Sequence, residues 1–248
     1  MLDVPKPMKT DGLAVAIEEK SFLSANGRRI LAVSGLSFTA QAGAFTTLIG
    51  PSGCGKTTTL RLVLGLDTDF RGQIQRPAGA SRVAAVFQEP RLLPWRDVET
   101  NVRLALPQAL RRRDLRPLFE TLGLSGLERH FPAELSLGLA RRAALARAFA
   151  IEPSLLVLDE PFVSLDEETA TRLRTLLIDV WSTRPTTALM VTHNLREAVE
   201  LSDRIVFLSE RPAKVRGMED IATPRADRDA AWRARILERL DALYPGVL

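Results

Sequence analysis

The eight residues Gly50-Pro-Ser-Gly-Cys-Gly-Lys-Thr57 constrain this chain more than any other feature. They follow Ala44–Ile49, which reads as a buried strand, and lead into a stretch that reads as helix to about Leu66. A strand, a glycine-rich turn and a helix in that order form a cradle for an anion. Glycines at 53 and 55 let the backbone curl without Cβ clashes, so that consecutive N–H groups face inward. The helix beginning near Gly55 adds its positive dipole end. Lys56 supplies a point charge, and Thr57 offers a hydroxyl suited to Mg²⁺. Gly50, Pro51, Ser52, Gly53, Cys54, Gly55, Lys56, Thr57 and the adjoining Thr58 are therefore the expected binding site for a nucleoside triphosphate. Cys54 sits beside Lys56, and that electropositive turn is expected to favour its thiolate.

A second strand ends in carboxylates. Leu155-Leu-Val-Leu-Asp-Glu160 is an apolar run closed by Asp159 and Glu160, and Pro161 then bends the chain. Strands of a parallel sheet present their C-terminal ends at the ligand crevice. Asp159 is thus placed to hold Mg²⁺, and Glu160 to orient or deprotonate an attacking water. Seen alone, the pair would be an ordinary polar strand end; the phosphate-binding turn gives it a chemical partner.

Between and around these motifs, short strands alternate with helices. Leu13–Ile17 and Leu36–Thr39 read as strands around the turn-like Ala25-Asn26-Gly27, and Arg82–Phe87 as another. From Glu89 to about Glu134, proline-broken helical segments replace the strands, with amphipathic spacing at Asn101–Leu106 and Leu115–Leu122. Helix is expected at Ala140–Ile151, Glu167–Trp181, Leu195–Leu201 and about Asp227–Leu243, and strand at Leu155–Leu158, Thr187–Val191 and Arg204–Leu208. The alternation predicts an α/β fold with a largely parallel sheet covered on both faces. Met1 to Gly12 reads as a loosely held arm.

Composition removes some alternatives. Of 248 residues, 46% are hydrophobic and 26% charged, as in ordinary globular chains, so disordered and collagen-like classes fall away. No apolar run approaches the ~20 residues that span a bilayer. A single cysteine precludes an intrachain disulfide. The formal charge of +4 raises nucleic acid as a partner, but the arginines are scattered, with clusters only at Arg111-Arg112-Arg113 and Arg141-Arg142, and no nucleic-acid role is expected.

Four further segments, in order, resemble the ATP-binding cassette (ABC) ATPases. Val86-Phe-Gln-Glu-Pro90 resembles the glutamine loop, Leu135-Ser-Leu-Gly-Leu139 the signature LSGGQ with its following helix, Ser164-Leu-Asp166 the loop after the acidic strand, and Val191-Thr-His193 the switch histidine. Phe22 occupies the place of the aromatic residue that stacks on adenine. Any one of these is short, and alone His193 would be a strand-end hydrogen bonder, Phe22 a core aromatic and Gln88 a surface loop residue. The ordered set covers about Leu13 to Leu208.

The resemblance implies a P-loop NTPase cassette: an N-terminal antiparallel β part, a RecA-like core over 13–88 and 140–248, and an inserted helical subdomain at about 89–139. It implies ATP and Mg²⁺ as ligands, with Thr57, Gln88 and Asp159 at the metal and Glu160, His193 and Gln88 as catalytic groups. Two subunits would sandwich two ATP molecules, so that Leu135, Ser136, Gly138 and Asp166 contact nucleotide bound to the partner. The partners implied are a second cassette subunit as a homodimer, transmembrane permease subunits, and indirectly a soluble solute-binding protein, with the chain peripheral on the cytoplasmic face of the inner membrane.

Val86 to Trp95 is similar to the corresponding loop of the nitrate, sulfonate and taurine importer group, which implies import of a small anion, with Leu92, Leu93 and Trp95 as apolar anchors for a membrane subunit. Two departures qualify this. Leu137 and Leu139 replace a signature glycine and glutamine, so that Leu137 is expected to crowd the start of the helix and Leu139 cannot hydrogen-bond. Asn194 stands where aspartate is usual, keeping its capping capacity. A weakly catalytic regulatory or heterodimer cassette, and a nucleic-acid-associated ATPase, remain as alternatives.

Overall fold

The computed structural model describes residues 11–77 and 82–246, so residues 1–10 of the expected N-terminal arm lie outside the described residues. In chain order the strands are β1 (Leu13–Leu23), β2 (Arg29–Ala40), β3 (Phe45–Ile49), β4 (Arg71–Gln75), β5 (Val83–Val86), β6 (Leu155–Asp159), β7 (Thr187–Thr192), β8 (Arg204–Leu208) and β9 (Val215–Asp220). The helices are α1 (Lys56–Leu64), α2 (Val98–Arg103), α3 (Arg116–Thr121), α4 (Leu137–Ala150), α5 (Glu167–Thr183), α6 (Leu195–Leu201) and α7 (Ala230–Leu243). The chain divides into two compact units, Met1–Gly79 with Thr187–Leu248, and Ala80–Thr186.

The first unit holds two sheets. One is antiparallel, in the order β2-β1-β4. Its strands β1 and β2 extend well past the expected apolar runs, because the hairpin pairs continuously from Leu13↔Ala40 to Leu23↔Arg29 apart from one bulge between Lys20 and Ser21. Gly72 in β4 has a steric cause: a Cβ there would lie 2.2 Å from the Ala16 carbonyl oxygen. In the other sheet β3 pairs in parallel with both β7 and β8, and β9 lies antiparallel along β8. Every residue of β3 and β7 is buried, as expected of strands covered on both faces. Helices α6 and α7 cover part of it, with Phe207 and Tyr244 stacked at 3.9 Å between ring centroids.

The second unit pairs β5 with β6 in parallel and surrounds them with α2, α3, α4 and α5. Alanines dominate the buried face of α4 (Ala143, Ala144, Ala146, Ala148, Ala150), and small side chains allow close approach to β5 and α5. Helices α4, α5, α6 and α7 each start on a side-chain cap. Ser136 accepts from the Leu139 N–H (3.3 Å), Asp166 from Thr169 N–H (2.9 Å), Asn194 from Arg196 N–H (2.9 Å) and Asp229 from Trp232 N–H (2.7 Å). The Ser136 cap starts α4 three residues earlier than the hydrophobic pattern suggests, and the Asp229 cap delays α7 to Ala230.

Candidate functional site

Strand register positions the site within the first unit. Ile49 of β3 lies opposite Thr192 of β7, so the phosphate-binding turn and His193 leave the same end of neighbouring strands. The turn takes the conformation its glycines predict: Gly53 has φ +73° and Gly55 φ +124°. At Gly55 a side chain is excluded twice over, by that backbone angle and by the Ala32 carbonyl oxygen 3.0 Å from a would-be Cβ. Lys56 is buried and folds back on the turn, its Nζ donating to the carbonyls of Gly50 (2.6 Å) and Pro51 (2.9 Å). Thr57 is exposed on the first turn of α1, and Thr58 is half-buried. An unexpected group joins them: Arg211 donates through Nε (3.1 Å) and Nη2 (2.8 Å) to the Gly53 carbonyl.

Cys54 corrects an expectation. Its side chain is 1% exposed, and burial pushes the thiol above its ordinary value, outweighing the opposing pull of the Lys56 charge. Desolvation of the thiolate wins over the electropositive surroundings. The buried thiol is thus a packing element of the turn, against the back of Gly50.

His193 is exposed. Its turn is held by Thr192 Oγ1, which bonds Glu197 Oε2 (2.5 Å) and accepts from the Asn194 N–H (3.0 Å). Asn194 keeps the capping function expected of it. Phe22, near the end of β1, is 41% exposed, with the Lys20 ammonium 4.7 Å from its ring centroid. That buried lysine is anchored by Asp67 at 2.9 Å.

In the second unit, Val86 of β5 lies opposite Leu158 of β6. Gln88 and the Asp159-Glu160 pair therefore emerge from the same end of neighbouring strands. Gln88 is exposed, and Asp159 and Glu160 are half-buried. Glu160 has φ +45°, a left-handed conformation rare for a residue with a side chain. Such angles cost about 1–3 kcal/mol and persist where surrounding contacts over-determine them. Ser164, two residues before Asp166, is also left-handed at φ +61°, so the loop between β6 and α5 is tightly turned.

The signature segment caps α4. Leu135 is half-buried and Ser136 exposed. Leu137 is 43% exposed and the Ser136 cap forms normally beside it, so it does not crowd the start of the helix as expected. Gly138 is the constrained position, since a Cβ would meet Thr169 Cγ2 at 2.9 Å. Asp166 is exposed and caps α5, and the Thr169 N–H holds its carboxyl below the usual carboxylate range. Of the expected apolar anchors, Trp95 is exposed, whereas Leu92 and Leu93 are half-buried, and the Leu93 N–H is bound to Asn101 Oδ1 (2.7 Å). Sequence reasoning missed Arg211 and also Arg141, a buried arginine of α4 bonded to the backbone near Gln88 and Glu160. Their partners lie 158, 53 and 20 residues away, beyond the reach of any local pattern.

Among the described residues no helix is long and apolar enough to cross a membrane. Comparison with known proteins supplies the family. The profile of the ABC transporter family matches residues 33–163. The aliphatic sulfonates import ATP-binding protein SsuB 2 of Burkholderia lata is 44% identical over 212 residues, covering 81% of this chain and 78% of that protein. SsuB 1 of Pseudomonas syringae pv. syringae is 41% identical over 235 residues (93% and 96%), and SsuB of Bacillus cereus 35% over 249 residues (95% and 98%). Among solved structures, a dimeric ATP-binding cassette bound to ADP and Pi superimposes with a TM-score of 0.72 at 24% identity, covering 86% of this chain and all of that one, a likeness of fold. With a family profile spanning more than half its length and relatives this similar over most of it, the chain belongs to the ABC transporter family.

Proposed function

We propose that the chain is the ATP-binding and ATP-hydrolysing subunit of an importer for aliphatic sulfonates or similar small anions, working as a dimer on separate membrane subunits. The observation that carries this reading is the register of two strand pairs. Within one unit, Ile49↔Thr192 sends the phosphate-binding turn and His193 out together; within the other, Val86↔Leu158 sends out Gln88 with Asp159 and Glu160. Nucleotide chemistry needs both sets, and each is at strand ends where α/β proteins bind ligands.

In this reading Gly50 to Thr58 wrap the phosphates, and Lys56 exchanges its bonds to the Gly50 and Pro51 carbonyls for phosphate oxygens. Phe22 offers its exposed ring to adenine. The Thr57 hydroxyl, the Gln88 amide oxygen and the Asp159 carboxylate are oxygen donors of the kind that would hold Mg²⁺, whose charge would offset that of the phosphates. Glu160 orients and deprotonates the attacking water, and His193 steadies the γ-phosphate. Leu135, Ser136, Gly138 and Asp166 meet the nucleotide of a second copy. Residues 13–88 and 140–248 serve as the nucleotide-binding core and 89–139 as the helical subdomain that answers to the permease, with exposed Trp95 as its apolar anchor. The chain works peripherally at the cytoplasmic face of the membrane, and its cargo reaches the permease from a soluble binding protein. The sulfonate assignment rests on the relatives named above.

The deciding experiment follows Mg-ATP hydrolysis by the purified chain as its concentration rises, with Glu160→Gln as control. Turnover that rises more steeply than linearly and vanishes in the control supports a catalytic homodimer. A Glu160→Gln chain that hydrolyses normally removes Glu160 as the base. A second reading, a weakly catalytic cassette that needs a non-identical partner, is favoured by exposed Leu137 and by Leu139, which offers no hydrogen bond where the family has glutamine. ATP binding without turnover at every concentration would select it. Uptake of an aliphatic sulfonate, abolished by deletion of the gene and restored by the intact chain, tests the cargo.

A further inference from the structure

Arg141 stands on the second turn of α4 and is 3% exposed. Its guanidinium is a fork inside the second unit. Nη1 donates to the Pro161 carbonyl at 3.1 Å and Nη2 to the Gln88 carbonyl at 3.4 Å. One side chain of the signature helix thus grips the backbone at two places: the residue after Glu160, and Gln88 itself. A second arginine of the same helix extends the grip. Arg147 donates to the carbonyls of Pro90 (2.8 Å) and Arg91 (2.6 Å). The loop so held is tightly folded: Arg91 is left-handed at φ +49°, and its guanidinium lies 3.9 Å from the Phe87 ring centroid.

Burying a guanidinium is expensive unless its hydrogen bonds are met. An apolar side chain of the same volume would pack among the alanines of α4 without that penalty. A charge kept at this position therefore acts through what it binds, and it binds the backbone beside two residues whose orientation matters for hydrolysis. Glu160 is left-handed, a conformation that relaxes unless neighbouring peptides are fixed. The bond to the Pro161 carbonyl fixes the Pro161–Phe162 peptide, one residue beyond Glu160, and so limits how far the turn at Glu160 can relax.

We propose that Arg141 is a positioning residue for hydrolysis, a bridge that sets the backbone of Gln88 and of the Glu160-Pro161 turn from the signature helix. It rests on the reading of Glu160 as the base and Gln88 as a metal contact. By this bridge a displacement of the glutamine loop moves the start of α4, which carries Ser136 and Gly138, and the turn at Glu160 together. Lysine cannot substitute, because an ammonium on a flexible stem does not reproduce a planar fork between two carbonyls.

The test compares wild type, Arg141→Met, Arg141→Lys and Glu160→Gln as full-length proteins. Turnover is expressed per nucleotide-binding site counted by titration with a fluorescent ATP analogue, and Mg²⁺ dependence is measured in parallel. Both Arg141 variants are expected to lose about 10- to 100-fold in kcat, the loss expected from a misplacement of about 1 Å. KM for ATP should stay within about threefold of wild type, because the residues that bind the phosphates form their own turn in the other unit, and the half-saturating Mg²⁺ concentration should rise through Gln88. A merely structural arginine gives fewer binding sites and a lower melting temperature with unchanged kcat per site and unchanged Mg²⁺ dependence; that result overturns the proposal. So does full kcat in Arg141→Lys, since one donor would then suffice. Glu160→Gln separates the two levels: if it hydrolyses normally the catalytic reading itself fails, whereas an inert Glu160→Gln beside a wild-type Arg141→Met overturns the bridge alone.

Discussion

Replacing Gly138 by alanine sets two effects of known size against each other. Alanine is favoured over glycine in a helix by about 1 kcal/mol, so a gain is expected wherever the methyl fits. Here it does not: the new Cβ would lie 2.9 Å from Thr169 Cγ2, roughly 0.8 Å inside the ordinary carbon–carbon contact. Thr169 is β-branched and sits in the first turn of α5, so it has little rotamer freedom with which to yield. Overpacking of this kind costs about 1–3 kcal/mol. The net expectation is destabilisation by about 0–2 kcal/mol, or a melting point lower by up to about 8 °C in a chain of this size.

The decisive control is Thr169→Ser, which removes the offending methyl and keeps the backbone N–H that Asp166 accepts. In the double variant the clash is gone and the helical gain remains, so Gly138→Ala in the Thr169→Ser background should stabilise by about 0.5–1 kcal/mol. Differential scanning calorimetry on the four proteins reads the cycle. A Gly138→Ala protein that melts above wild type, or a cycle with no coupling between the two sites, would refute the steric account of why this signature glycine is kept.

Three other perturbations test separate features. Because burial raises the Cys54 thiol above its ordinary value, alkylation should be slow at neutral pH and should keep rising with pH through the ordinary thiol range; a rate that levels off near neutral pH would show a thiolate the burial argument forbids. Arg228 is buried, donating to the carbonyls of Val199, Glu200 and Thr223, and burial lowers it to about 10; Arg228→Met leaves those carbonyls without their donor and should lose about 1–3 kcal/mol in denaturant unfolding and expose the C-terminal helix to protease, and near-wild-type stability would count against these bonds as its anchor. Asp166 has its folded value depressed by the Thr169 N–H, so its contribution is present above the unfolded carboxylate value near 4 and lost as pH falls through the lower folded one. Asp166→Asn should therefore flatten the acid limb of the stability profile, and an unchanged limb would show that the cap does not titrate.

The nucleotide-site motifs were legible because each is local. A strand, three glycines, a lysine and a threonine specify the phosphate turn within eight residues, and an apolar run closing on two carboxylates specifies the end of β6. Helices with an apolar stripe and strands of continuous apolar residues were equally plain. Edge strands were not: β4, Arg-Gly-Gln-Ile-Gln, and β9, Val-Arg-Gly-Met-Glu-Asp, carry little apolar pattern because they bury little, and pairing with β1 and β8 is what makes them strands. Cys54 misled because neighbouring charge is written in sequence and burial is not. Arg141 and Arg211 act on backbone carbonyls, and a carbonyl has no residue type by which it could be recognised.

The side chains assigned to nucleotide are mostly already occupied, and how they are occupied decides whether that helps or hinders binding. Lys56 uses two of its three N–H donors on the turn it belongs to, and both acceptors are backbone carbonyls that can turn to water when the ammonium shifts. Ser136 only accepts in capping α4, so its own hydroxyl hydrogen is left to point outward. Asp166 spends Oδ1 on the Thr169 N–H and keeps the lone pairs of Oδ2. Each group is therefore held in one orientation by its own helix or turn while the valence it needs for a ligand stays available. The entropy of ordering these side chains is met during folding rather than on binding, which is the condition for preorganisation. Ser136→Ala breaks both functions at once, whereas Ser136→Asn restores the cap and alters the outward donor. If ATP turnover followed the cap alone, Ser136→Asn would match wild type; a stable but inactive Ser136→Asn chain separates the hydroxyl's reach toward the partner from its hold on α4.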